Sequence, residues 1–177
     1  GTQIGDPHLD NDDIFALFPL LHAGYSTGDT IIQKTVAFII SAQNGNGSWD
    51  GSVDMTSAAI QALSQVTSLP NVATALSRAA GYLHLQQQQD GGWGNSFSTS
   101  WALQAIAALG ESPENWAPSG YNPKEYLASL QQSDGGIETV SSPLQTRTWA
   151  TEYAIPAVQG KTWGSLLGSF SKPVTSA

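Results

Sequence analysis

Apolar residues recur at helical spacing through most of this chain, and the segments that carry them are of two kinds. One kind is a long amphipathic helix. Ile32, Val36, Ile39 and Ile40 mark the apolar stripe of the first, and the pattern predicts such helices over about Thr30–Gln43, Val72–Gln87 and Pro123–Gln131. The last has a clean start: Asn122 as N-cap, Pro123 at the first helical position and Glu125 two residues on, a capping box. All three run into glycine, at Asn46-Gly47, Asp90-Gly91-Gly92 and Asp134-Gly135-Gly136. Glycine supplies the positive φ that stops a helix and reverses the chain.

The other kind is shorter and rich in alanine, over about Met55–Val66, Ser98–Leu109 and Thr146–Val158. Small side chains on many faces let a helix pack closely on several sides, which suits an inner position. Aligned by residue type, Gln61 and Gln104 match Glu152, and Trp101 matches Trp149, with a longer loop at Glu138–Gln145. Pro156 is expected to kink or end the last of these helices. A further inner-type segment, Asp13–Ala23, precedes the first outer helix, and a short stub, Thr162–Phe170, closes the chain. The expectation is an all-α chain of hairpins in inner–outer order, with no strand pattern.

The two kinds alternate at a fixed period. Lys34, Phe38, Gln43, Gly47 and Trp49 recur 44 residues later as Arg78, Tyr82, Gln87, Gly91 and Trp93. A third copy has Tyr126, Gln131 and Gly135, with Ile137 in place of tryptophan. Repeats of this size bury each unit against the next. The pattern K/R-x3-aromatic-x4-Q-x3-G-x-W resembles the QW repeat of the squalene cyclase and prenyltransferase superfamily, in its bacterial branch. The resemblance covers about residues 10–163. It implies an α/α toroid: a ring of inner helices, outer helices around it and a central cavity at one end. It also implies structural roles. Gln43, Gln87 and Gln131 would cap backbone groups at a neighbouring helix end, and Trp49 and Trp93 would pack over them.

Composition narrows the function. Lys, Arg, Asp and Glu make up only 11% of the chain and the net charge is −8, so no basic stripe exists to meet phosphates or an anionic membrane. Nucleic acid and membrane insertion are therefore not expected as partners. Cysteine is absent, which excludes thiol nucleophiles, thiolate zinc sites and the thioester of some superfamily members. His8, His22 and His84 are scattered, and no metal or cofactor is implied. The polar, low-charge surface points to an exported or cell-surface protein. Residues 1–170 read as one helical-repeat domain and 171–177 as a linker tail.

Two features carry candidate chemistry. Asp10-Asn11-Asp12-Asp13 resembles the DxDD acid of class II terpene cyclases, which would make Asp12 the proton donor to an isoprenoid alkene, with Asp10 and Asp13 beside it. Adjacent carboxylates can hold a proton between them. The structural alternative is that acids favour helix N-termini. With Asp6 and His8 the same cluster could also offer hard ligands to calcium. Trp101 and Trp149 are the second feature, ring faces near the toroid mouth for a sugar, corrin or isoprenoid. Two readings stand: a non-catalytic binding or scaffold domain with a small-molecule or protein partner, or a terpene-cyclase-like enzyme. The short array also leaves ends. Missing N-terminal repeats, a homodimer or an open arc would each answer that, with Ile14, Phe15, Leu17 and Phe18 as the expected exposed edge.

Overall fold

The computed structural model describes residues 4–6 and 10–168; His8 and the side chain of Asp10 lie outside the described residues. Inner helices α1 (Asp10–His22), α3 (Val53–Leu63), α5 (Ser96–Ala108) and α7 (Leu144–Val158) alternate with outer helices α2 (Thr30–Ser41), α4 (Val72–Gln86) and α6 (Pro123–Ser129). Each inner helix packs on the next, α1 on α3, α3 on α5 and α5 on α7, and each outer helix packs on the inner helix before it. This is the inner-and-outer helical arrangement of an α/α toroid. Among the described residues no strand forms, and no helix is long and apolar enough to cross a membrane.

Local chemistry sets the helix starts. The Ser52 hydroxyl accepts from Met55 N–H at the start of α3, and Asn95 accepts from Ser98 N–H at the start of α5. Asn122 and Glu125 close the capping box of α6 reciprocally. Pro156 sits in the last turn of α7, which continues for two residues to Val158.

The inner helices are buried on many faces. Every residue of α3 from Thr56 to Leu63 is buried, and so is every residue of α5 from Thr99 to Ile106. That is why alanine and serine are common there: larger side chains would hold neighbouring helices apart.

The turns repeat as hydrogen-bond circuits. Trp49 Nε1 donates to the Ile39 carbonyl (2.7 Å) and Trp93 Nε1 to the Leu83 carbonyl (2.9 Å), each in the last turns of the outer helix just completed. The indole therefore caps its own helix as a donor, where packing over the glutamine alone was expected. The glutamines reach forward. Gln43 Nε2 donates to Gly47 O and to Ala75 O in α4, both at 2.9 Å; Gln87 Nε2 donates to Gly91 O at 2.9 Å and Trp116 O at 2.8 Å.

One more bond fixes the register. The backbone N–H of Trp49 donates to Thr56 Oγ1, that of Trp93 to Thr99 Oγ1, and that of Ile137 to Thr151 Oγ1. Thr151 thus occupies the place of Thr56 and Thr99. This corrects the alignment of α7: Tyr153, not Trp149, stands where Trp101 does, and Pro156, not Glu152, matches Gln104. The reason is an extra turn at the start of α7, whose N-cap is Pro143, so its threonine lies one turn deeper than in α3 and α5.

The expected exposed edge on α1 is also corrected. Ile14, Leu17 and Phe18 are 0–2% exposed, and only Phe15 reaches 38%. The C-terminal helix α8 (Trp163–Leu166) returns to pack on α1 and α3, with Trp163 N–H donating to Gln61 Oε1 (2.9 Å). Exposed apolar surface lies instead on the last inner helix, at Leu144, Trp149, Ile155 and Val158.

Candidate functional site: the acid cluster and the ring centre

The acid cluster opens α1. Asp12 is partly buried, and its Oδ2 accepts the N–H of Asp6 (2.9 Å). Gly5, at φ +77°, lies so close that a Cβ there would overlap the Asp12 carboxylate. Asp13 is fully buried; its Oδ1 accepts the N–H of Ile4 (3.1 Å), and its Oδ2 is buried with no hydrogen-bond partner. Burial pushes the Asp13 carboxyl above the usual carboxylate range; the Ile4 N–H partly opposes this and the charge of Asp12 adds to it.

Asp13 has a counterpart in every repeat. Ile4 N–H to Asp13 is the same bond as Trp49 to Thr56, Trp93 to Thr99 and Ile137 to Thr151: a turn amide given to the side chain at one inner-helix position. Sequence reasoning treated the four letters as one acidic motif and missed this equivalence. The signal was present, since Asp13 precedes Thr56 by the same spacing that separates Thr56 from Thr99.

Trp101 lies at the ring centre and is 8% exposed. Its indole stacks on Trp163 of α8 (centroids 5.8 Å, planes at 7°) and meets Tyr153 of α7 at 5.8 Å and Phe15 of α1 edge-on at 6.0 Å. Between α1 and α5 stands α3, which carries the small Ala58 at the same level, and that leaves room for Phe15 and Trp101 to touch. Four elements thus fill the centre with their own rings. Trp149 is elsewhere: it is 51% exposed on α7, so the two tryptophans do not share an environment.

Beside the cluster is a cleft of about 270 Å³ lined by Gln104, Glu152, Tyr153, Pro156, Trp163 and Leu166. Gln104 is 1% exposed and its Oε1 has no hydrogen-bond partner. Larger clefts lie between α2 and the turn at Leu69, Pro70 and Asn71 (about 620 Å³) and at Asp134 and Arg147 (about 420 Å³). In the latter, Arg147 makes two bonds to Asp134, at 2.7 and 2.9 Å, which hold that carboxyl below the usual range. None of these clefts is lined by Asp12 or Asp13. Among the described residues no group of three or more acidic or imidazole side chains is placed to hold a metal ion.

Comparison with known proteins gives the same answer as the turns. Residues 11–117 match the model of the squalene-hopene cyclase C-terminal domain. The chain is 28% identical over 139 residues to the squalene–hopene cyclase of Zymomonas mobilis subsp. mobilis, an alignment covering 66% of this chain and 20% of that enzyme. The chain therefore spans about a fifth of that relative. With the match running from the acid cluster through the second glutamine–tryptophan turn, this chain belongs to the squalene-hopene cyclase C-terminal domain family.

Proposed function

We propose that this chain is a non-catalytic binding or scaffold domain of an exported protein, built on the cyclase repeat. The observation that carries the reading is the use of the acid pair. Asp12 and Asp13 of the DxDD-like motif each accept a backbone N–H group from residues 4–6, and Asp13 does for the first turn what threonine does for the other three. A proton donor to an alkene must instead face a dry substrate chamber. Here the ring centre is occupied by Phe15, Trp101, Tyr153 and Trp163. Binding then falls to the periphery: the cleft beside Tyr153 and Trp163, and the exposed face of Trp149.

A cyclase-like reading rests on one observation, the raised pKa of Asp13 beside Asp12. One set of variants separates the two. Wild type, Asp12→Asn and Asp13→Thr are incubated with squalene and a panel of linear isoprenoids, and products are followed by mass spectrometry. The binding-domain reading expects no cyclised product from any of the three. A product made by the wild type and lost in Asp12→Asn would overturn it.

Asp13→Thr also has a stability readout. A raised native pKa means that the folded state holds the proton more tightly than the unfolded chain. Stability is therefore lost as pH rises from the ordinary carboxylate range through the raised value of Asp13. Threonine removes that loss. At neutral pH the variant is expected to be more stable by about 1 kcal/mol, the scale of an incompletely satisfied buried polar group. The gain should shrink in acid.

A further inference from the structure

The first turn differs in chemistry from the other two. It reads Gln43-Asn44-Gly45-Asn46-Gly47, where the second reads Gln87-Gln88-Gln89-Asp90-Gly91 and the third Gln131-Gln132-Ser133-Asp134-Gly135. Its two Asn-Gly pairs are the only ones in the chain. An asparagine before glycine is open to attack from its own backbone, because glycine has no side chain to crowd the ring that forms. The glycine nitrogen loses its proton and bonds to the asparagine Cγ, and the Nδ2 group leaves with a proton as ammonia. Water then opens the cyclic imide at either carbonyl carbon. Opening at Cγ leaves aspartate. Opening at the main-chain carbonyl leaves isoaspartate, whose backbone runs through Cβ and Cγ and whose former main-chain carbonyl is a free carboxylate.

The two pairs are held differently. Gly47 N–H donates to Asn44 O (2.9 Å), and Gly47 is buried at φ +94° with the Arg78 carbonyl where a Cβ would be. Asn46 Oδ1 accepts from the N–H and the hydroxyl of Ser48, at 3.1 and 2.7 Å. It stands where Asp90 and Asp134 stand, which accept the N–H of Gly92 and Gly136. Gly45 is the reverse. It is exposed, its N–H donates to no described residue, and a Cβ there meets nothing within 4 Å. Asn44 is exposed too, and among the described residues its side chain makes one long bond, from Nδ2 to Ser48 Oγ (3.3 Å).

We propose that Asn44-Gly45 is a self-modification site: Asn44 loses its amide to water while Asn46, two residues on, is protected by the turn. Arg78 of the next hairpin shapes the product. Its Nη2 donates to Asn44 O (2.7 Å) and Gly45 O (3.3 Å). The guanidinium therefore polarises the carbonyl whose attack by water gives isoaspartate. It then meets a carboxylate where it met a neutral carbonyl, so the boundary between the first two hairpins keeps its tie in charge-assisted form. The inference does not depend on whether Asp12 has a chemical role.

The chain is incubated folded at mildly alkaline pH, and in parallel in denaturing urea. Mass spectrometry of the peptide that carries both asparagines follows the change of amide to acid at each, and chromatography separates the aspartyl from the isoaspartyl form. In the folded chain Asn44 is expected to react about tenfold faster than Asn46, the factor that one protecting hydrogen bond supplies. In urea the two should react at similar rates. Asn44→Gln, which copies the second and third turns, should end the fast reaction, and Asn46→Asp should leave it unchanged. Arg78→Ala, at an exposed side chain, should lower the isoaspartyl fraction. Equal rates at the two asparagines in the folded chain, or an Asn44 that reacts only in urea, overturn the proposal. An isoaspartyl fraction unchanged in Arg78→Ala overturns the role given to Arg78.

Discussion

Trp49→Ala is expected to lower the free energy of unfolding by about 4 kcal/mol, the largest effect of any single truncation in this chain. Trp49 is fully buried in the main core. Removing it leaves a cavity, and it also orphans the Ile39 carbonyl. The backbone amides at the end of α2 do not take that carbonyl: Ala42 N–H goes to Phe38 and Gln43 N–H to Ile40. An unsatisfied buried carbonyl adds about 1 kcal/mol to the transfer and cavity cost. Trp49→Phe separates the contributions. It keeps most of the apolar volume and loses the bond, and about 2 kcal/mol is expected. Denaturant unfolding of both variants checks this. A loss under 1 kcal/mol for the alanine variant would show that the tryptophan is not a tie.

Gly91→Ala comes next, at about 3 kcal/mol, because two penalties coincide there. Gly91 has φ +87°, a conformation that costs alanine about 1 kcal/mol. Its missing Cβ is also filled space, since it would meet the carbonyls of Tyr121 and Asn122 at the entry to α6. Those groups are backbone and belong to the segment that forms the capping box, so they cannot move without loosening α6; overpacking of this kind costs about 1–3 kcal/mol. Gly135→Ala is the matched control. Its φ is +86° and the space around it is open, so only the conformational cost of about 1 kcal/mol remains. Equal losses at the two glycines would contradict the close approach seen at Gly91.

Much of the fold was legible in the sequence because its determinants are local. The helices follow from apolar spacing and caps, and the turns from glycine at a fixed distance from glutamine. What could not be read depended on contacts between distant parts of the chain. Trp163 lies 102 residues from Gln61, so nothing near α1 announces that α8 covers it. The register of α7 was misjudged by matching the larger side chains, Trp149 to Trp101. The position that sets the register is a threonine hydroxyl, a small side chain chosen for one bond. The site followed the same rule. The acids were conspicuous as a string of letters, but their role lies in which amides they accept, and only the path of residues 4–6 reveals it. The filling of the ring centre by Trp101 and Trp163 was equally out of reach, as the two rings come from opposite parts of the chain.

The claim that the rest depends on is that each glutamine ties its turn forward to the next hairpin. Alanine substitution at Gln43, Gln87 and Gln131, measured by chemical denaturation under identical conditions, tests it most directly. Gln43 and Gln87 each make two bonds, one of them across the repeat boundary, and each loss should cost about 1–2 kcal/mol. Gln131 makes its bond within an exposed turn, and its loss should cost about 0.5 kcal/mol or less. Three equal losses, or a larger loss at Gln131 than at Gln43, would contradict the forward tie.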